Sequence, residues 1–351
     1  MYGLEDVGGF GRALAVYLTE QNCLVKEVNT RLSHKWRQSR NTVEKHDSLD
    51  AEYIARVVKD EMDRLPDAKP LDHYWAIGQL VKHRAGLQSH YSANLRRLHQ
   101  QISYHYPSYK QFFSQVDGKT ALAFWERYPS PQCLADVTET ELAEFLKQAS
   151  NRYLSLPKAR QIKQLIAEDG NTVREYQSSR DVIVRSLVQT LCASSQEMGK
   201  LEAELAVLME GLACTLDSMP GIDLVTAVSF IAEIGPIERF ASAEKLARFA
   251  GIAPVMHGSG GKNNNHKSRQ GNRILHDLFK QLAVRQLVTA KNTKQPRNAY
   301  LLAYYEQKRA AGKSKRQAIV CLMRKLVNVV YYLLKNKAVY SMPDVPVEKA
   351  G

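Results

Sequence analysis

The sequence predicts an α/β unit at the N-terminus followed by a long, mainly helical chain, and three observations carry that reading. A Gly-rich turn, an apolar-periodic helical run and a short apolar stretch open the chain in "GLEDVGGFGRALAVYLTEQNCLVKEVN". A heptad pattern then runs through residues 173–212. Beyond it, "LDSMPGIDLVTAVSFIAEIG" sets a tight Pro-Gly turn between two apolar segments. At 351 residues the chain can hold two or three domains and a sizeable core, so no metal or disulfide staple is needed for folding.

The N-terminal unit spans residues 1–70. The Gly-rich turn precedes a helix, and a short strand follows from Cys23 to Val28. The polar stretch "TRLSHKWRQSRNT" reads as a loop, and a helix starts near Asp47 in "KHDSLDAEYIARVV". Two carboxylates, Asp47 and Asp50, lie three residues apart there. As caps, Asp47 is the N-cap and Asp50 sits at N3, both facing the positive end of the helix dipole. As ligands, the i, i+3 spacing puts both on one face, where they can reach one divalent cation. Both readings stand on these residues alone.

A helical region spans residues 71–212. Its clearest stretch places Leu187, Leu191, Ser194, Met198, Leu201, Leu205, Leu208 and Leu212 at alternating steps of four and three. That is a heptad seam with one polar break at Ser194, and it predicts a coiled coil or a long helical hairpin. A helix of the same chain and a second protomer are equally good partners for it.

Residues 213–343 form a mainly helical C-terminal domain, with residues 344–351 as a tail. The Pro-Gly turn at residues 219–221 has the pattern of a helix-hairpin-helix, whose backbone amides can hold a phosphate. Next, "FAGIAPVMHGSGGKNNNHKSRQGNRILHDLF" reads as a flexible polar loop in which Gly, Asn and cations let the backbone approach a phosphate. "KRAAGKSKRQ" is a basic turn between two later helices.

Charge is segregated along the chain. Residues 245–343 carry twenty Lys and Arg against two acids, a local balance of +18 within a net +13, so the remainder is acidic. Such segregation is the footprint of a polyanion-binding surface. The five cysteines are scattered without a CxxC pair, which argues against a zinc module or a disulfide framework and fits a reducing compartment. There is no signal peptide. The most apolar run, residues 318–334, is interrupted by Arg324 and Lys325 and reads as an amphipathic core helix, so no membrane partner is expected.

Two chemical features remain: the carboxylates Glu5, Asp47 and Asp50, and Ser259 in the Gly-rich basic loop. Carboxylates gathered on an RNase H-like sheet hold Mg²⁺ against a phosphodiester. A serine can be a nucleophile toward DNA and keep the broken strand as a phosphoserine ester. In this order and setting they resemble one family, the bridge-RNA-guided insertion-sequence transposases. "GLEDVGGFGRAL" looks like that family's glutamate segment and "KHDSLDAEYIARV" like its twin-aspartate segment. "MPGIDLVTAVSFIAEIGPIERFASAEKLARFAGIAP", with "GSGGK" and "SRQGNRIL" after it, resembles its C-terminal domain.

The resemblance implies a RuvC-like N-terminal domain with an Asp-Glu-Asp-Asp tetrad, and a C-terminal transposase domain that supplies a serine. Glu5, Asp47 and Asp50 would be the second to fourth tetrad members and bind Mg²⁺. Where the family often has two serines, this chain has Gly258 and then Ser259, which leaves Ser259 as the nucleophile. Ser268 would bond backbone or phosphate. Lys262, Lys267, Arg269 and Arg273 would neutralise phosphates, which positions a duplex without reading sequence. Only Met1 to Leu4 precede Glu5, and Asp6 adjoins it on the Gly-rich turn, so the first aspartate and its strand are expected to be missing from a truncated RuvC-like domain.

The function so implied is DNA recombination in the bacterial cytoplasm, at the nucleoid, by a homo-oligomer guided by a noncoding RNA. The alternatives are a catalytically inactive, truncated relic that binds DNA or RNA, and a junction nuclease that uses carboxylates alone.

Overall fold

The computed structural model describes residues 1–5, 11–39, 44, 46–68, 73–259, 262–266, 271–289 and 295–344, with the backbone alone at Arg31, Arg64 and residues 255–266. The expected Gly-rich turn and Asp6 lie outside these residues, as do Lys267, Ser268, Arg269 and most of the tail. The chain divides into two compact units, Met1–Ala76 and Ile77–Gly351.

In the first unit, β1 (Tyr2–Leu4) and β2 (Val25–Glu27) pair in parallel, joined through α1 (Arg12–Glu20). The strand expected from Cys23 to Val28 is shorter, although Leu24 O still accepts from Tyr2 N at 2.8 Å and Val28 N donates to Leu4 O at 2.9 Å at its two ends. Two further helices follow, α2 (Thr30–Ser39) and α3 (Asp47–Glu61). Val28, Val57, Val58 and Leu65 make the core, with Leu32, Trp36 and Ile54 packed against it.

That packing explains why the stretch expected as a loop is the helix α2. Leu32 and Trp36 stand four residues apart, so a single helical turn brings both onto this core. Tertiary burial overrides a polar sequence with weak intrinsic preference. The start of α3 also shifts by one residue from the expected cap. His46 is the N-cap, its Nδ1 accepting from Leu49 N at 3.3 Å, and Asp47 and Asp50 are the first and fourth helical residues.

The second unit is built on two long helices, α4 (His73–His105) and α8 (Gln177–Glu210), with α5 (Lys119–Arg127), α6 (Glu139–Ala149) and α7 (Leu156–Asp169) inserted between them. Arg84 of α4 meets Glu202 of α8 at 2.6 Å, and His105 meets Gln177 at 3.3 Å, so the two run antiparallel. The heptad seam packs within its own chain, chiefly on α5 and, further along, on α9 (Leu224–Ile234). Leu98 and Ile102 share a core with Val184, Val188 and Leu191.

The insert adds an aromatic cluster to this core. Phe112 stacks on Trp125 with centroids 5.8 Å apart, and Phe124 meets Trp125 edge-on at 5.0 Å. Under it lies a buried polar knot. Gln177 donates to Asp181 at 2.8 Å, Ser130 donates to the other carboxylate oxygen at 3.1 Å, and Thr172 bonds the His105 carbonyl at 2.6 Å. Burial pushes the His105 ring pKa down, against the pull of Asp181.

The C-terminal part contains α9 (Leu224–Ile234), α10 (Ala243–Phe249), the hairpin β3 (Val255–Ser259) and β4 (Lys262–His266), then α11 (Arg273–Gln286), α12 (Ala299–Ala310) and α13 (Lys315–Asn336). The segment expected as a flexible loop is thus an antiparallel hairpin. The expected helix-hairpin-helix also differs. A 3-10 turn, Leu216–Ser218, stands where its first helix would be, and the turn's carbonyls are occupied: Gln286 donates to Pro220 O at 2.6 Å and Arg285 to Gly221 O at 3.1 Å. Among the described helices α13 alone is long and apolar enough to cross a membrane. Its apolar stripe, including Leu322, Leu326 and Val330, is buried in the core formed with α10, α11 and α12.

Gly3 sets how closely β1 approaches α3. A Cβ there would lie 2.3 Å from Val58 Cγ2, and the β-branched valine has no rotamer freedom to retreat. Gly3→Ala is expected to destabilise the first unit by about 1–3 kcal/mol, read as a lower denaturant midpoint. An unchanged midpoint would show that β1 does not pack as described.

Candidate functional site

Glu5 follows β1 directly, and its position is fixed by α2. Ser33, which is buried, donates to Glu5 Oε2 at 2.5 Å. One turn further along α2, Arg37 Nη1 stands 3.5 Å from Asp50 Oδ1, and its other terminal nitrogen donates to His34 Nδ1 at 2.8 Å. Residues four apart on a helix are neighbours on one face. Glu5 and Asp50 therefore come to adjacent positions on the same side of α2, one from a strand end and one from a helix start.

Asp47 does not join them. It is exposed at the first position of α3, one turn before Asp50. Among the described residues no three His, Cys, Asp or Glu side chains converge on a point that could hold a metal ion. The donor set is nonetheless of the type that hard divalent cations take, carboxylate oxygens alone. The positive charge beside Asp50 is at present Arg37. Both partners of that pair are partly exposed, and pairs of this kind contribute less than about 1 kcal/mol, so a divalent cation can displace the guanidinium.

The second region is the hairpin. Its register sets Ser259 opposite Lys262 across residues 260–261, and His257 opposite Asn264. Ser259 is the last residue of β3, and Arg273 is exposed as the first residue of α11. Lys267, Ser268 and Arg269 fall between them, outside the described residues.

What holds the hairpin is at its base. Gly271 has φ +125°, and a Cβ there would lie 2.5 Å from Gly251 N and 2.9 Å from Phe249 O. Asn272 then makes three bonds. Its backbone N–H donates to Phe249 O at 2.7 Å, its side-chain oxygen caps α11 by accepting from Leu275 N at 2.9 Å, and its Nδ2 donates to Glu233 Oε2 at 2.5 Å. The end of α10, the start of α11 and the α9 carboxylate are thereby pinned together.

Ser33, Arg37 and Glu233 had not been singled out from the sequence. Nothing in their own neighbourhoods marks them, because each acts on a residue far along the chain. Asn272 carried a usable signal, a Gly-Asn pair directly before an apolar-periodic run.

An α/β unit that presents carboxylates at a strand end, with a cation-rich helical domain carrying a serine hairpin, defines a protein built to process nucleic acid. Comparison with known proteins is specific about which kind. Residues 213–301 match the model of the IS116/IS110/IS902 transposase family, and residues 1–107 match the DEDD transposase model of the IS110 type. Between them the matches take in more than half of the chain, which belongs to the IS110/IS116/IS902 family of insertion-sequence transposases.

The chain is 26% identical to the 43.6 kDa protein of insertion element IS110 from Streptomyces coelicolor, over 84% of this chain and 72% of that one. It is 26% identical to the 44.8 kDa protein of IS116 from Streptomyces clavuligerus, over 88% and 75%. A shorter match, 31% identical over 35% of this chain and 37% of the other, is to the pilin gene-inverting protein of Moraxella bovis. The family's substrate is DNA, and DEDD-type transposases normally use divalent metal ions.

Gly271 is the residue on which the hairpin base depends. Gly271→Ala meets backbone rather than a movable side chain and also strains a positive φ, so a loss of roughly 2 kcal/mol or more is expected in chemical unfolding. A variant as stable as the parent chain would refute this account of the base.

Proposed function

We propose that this chain cuts and rejoins DNA strands through a phosphoserine on Ser259, with Glu5 and Asp50 as the carboxylates that would hold Mg²⁺ and Asp47 one turn away on α3. The observation that carries the reading is a serine at the tip of a hairpin whose base is locked by Gly271 and Asn272.

The balance of the step is simple. The Ser259 oxygen attacks the phosphorus, the bond from phosphorus to one strand oxygen breaks, and the released strand end takes up a proton as a hydroxyl. The serine proton passes to a base. Rejoining runs the same exchange in reverse, with the hydroxyl of a new strand end displacing Ser259. Bound Mg²⁺ would supply charge stabilisation for the attacking and leaving oxygens. Lys262, Lys267, Arg269 and Arg273 neutralise the flanking phosphates.

The protein works as a homo-oligomer. A noncoding RNA supplies sequence specificity by pairing, which agrees with a surface rich in cations. The Moraxella relative, named for inverting pilin genes, supports strand rejoining rather than simple cleavage.

A second reading, nucleic-acid binding without cleavage, is favoured by one observation: Arg37 already stands at Asp50. The two readings separate on covalent chemistry. Incubated with labelled DNA and Mg²⁺, the parent chain is expected to give a protein–DNA adduct that survives boiling in detergent, and Ser259→Ala none. An adduct that persists in Ser259→Ala removes that residue from the role, and none with the parent chain under any divalent ion favours the binding-only reading.

Metal binding has its own readout. Arg37→Ala is expected to tighten Mn²⁺ binding, followed by electron paramagnetic resonance, by roughly two- to fivefold, in line with loss of a weak competing ion pair. Asp50→Asn is expected to weaken it. Binding indifferent to both substitutions would place the metal elsewhere.

A further inference from the structure

Mostly beyond the segments that match the family models, α12, the turn after it and α13 make the most concentrated part of the basic C-terminal region, and no residue of it has yet been given a role. Residues 299–336 contain eight Lys and Arg and one acid, Glu306. None of the eight lies within ion-pair distance of a carboxylate among the described residues. Protein surfaces normally intersperse charges of both signs.

The turn and the helix start that carry Lys313, Lys315 and Arg316 are fixed rather than loose. Gly312 adopts φ +81°, and Ser314 and Gln317 close a reciprocal capping box at the start of α13. Lys325 donates to Tyr300 at 2.7 Å and lies 4.5 Å from the centroids of both the Tyr300 and Tyr304 rings, which ties α13 to α12. Lys313, Lys315 and Arg316 are exposed on this turn. Arg324 is exposed two turns along the same face as Arg316, about 12 Å further on at 1.5 Å per residue. Lys315 and Arg316 also occupy the first two positions of α13, where the dipole disfavours cations. The arrangement gathers like charges on a rigid ridge and leaves them unneutralised.

We infer that this ridge, Lys313, Lys315, Arg316 and Arg324, is a second DNA-binding surface that grips the backbone of duplex DNA apart from the serine hairpin. A cluster of exposed cations without acids, extended along one helix by Arg324, suits a polyphosphate backbone. Duplex fits better than a single strand. Strand binding needs open aromatic faces for successive bases, whereas Tyr300 and Tyr304 are covered by Lys325, and Tyr332 is the one strongly exposed aromatic residue along α13. The inference rests on the reading that this chain acts on DNA.

The test uses the full chain and a fluorescent duplex of mixed sequence, with anisotropy measured over a range of salt. Lys313→Gln, Lys315→Gln and Arg316→Gln combined are expected to weaken binding tenfold or more, by about the same factor for unrelated sequences. The slope of log affinity against log salt is expected to fall by about 0.9 per lost contact. Arg324→Gln alone should lower that slope by about one contact. All four residues are exposed, so the melting temperature should not move.

Unchanged affinity and slope would overturn the inference while leaving DNA binding by the hairpin intact. Duplex binding that is kept while binding to a hairpin RNA is lost would also overturn it, and would assign the ridge to RNA. A parent chain that binds no duplex at any salt would sink the DNA reading itself.

Discussion

The core shared by α4, α5 and α8 is the constraint from which the second unit is organised. Two helices of 33 and 34 residues cannot be held by propensity alone, and most helical stability comes from tertiary packing of an apolar face. Here Leu98 and Ile102 of α4 and Val184, Val188 and Leu191 of α8 bury in one core with Phe124 and Trp125 of α5, and the end where the insert joins is polar. Gln177, Ser130 and Thr172 satisfy Asp181 and the His105 carbonyl there. His105 Nε2 has no hydrogen-bond partner among the described residues, and burial pushes the ring pKa down. A knot of this kind is unforgiving, because the loss of any partner leaves a buried polar group bare. It therefore fixes how α5, α6 and α7 sit on the long pair.

The functional segments are built differently. Each relies on a short-range anchor rather than on a deep core: α2 for the carboxylates, and the Gly271–Asn272 step for the serine hairpin. Both anchors use backbone or small polar groups at close approach, which holds geometry without enclosing the site. Substrate as large as a DNA duplex requires that openness. The basic C-terminal helices complete the picture, since their apolar sides form the core and their cations are left outside.

Much of this was legible in the sequence. The helix at Asp47, the heptad seam and the basic C-terminal third all follow from periodicity and charge. Glu5, Asp47, Asp50 and Ser259 were singled out through family resemblance and spacing; of the three carboxylates, Glu5 and Asp50 meet α2 and Asp47 does not. What was not legible depended on contacts between distant segments. The α2 stretch is polar throughout except for Leu32 and Trp36, so its helicity becomes visible only with the core they cover. The Gly- and Asn-rich hairpin lacks β-branched residues after Val255, and its strand character comes from pairing rather than composition. Arg37 and Glu233 are ordinary charged residues until their partners, 13 and 39 positions away, are in place.

The ion pair between Arg37 and Asp50 bears on the order in which the protein is assembled. Small metal-dependent domains fold only as the ion binds, since their ligands repel one another without it. A carboxylate that carries its own counter-ion removes that repulsion from the folding step. In the N-terminal unit the Arg37–Asp50 pair offsets the Asp50 charge from within the fold, so the packing of α3 against α2 needs no ion to offset it.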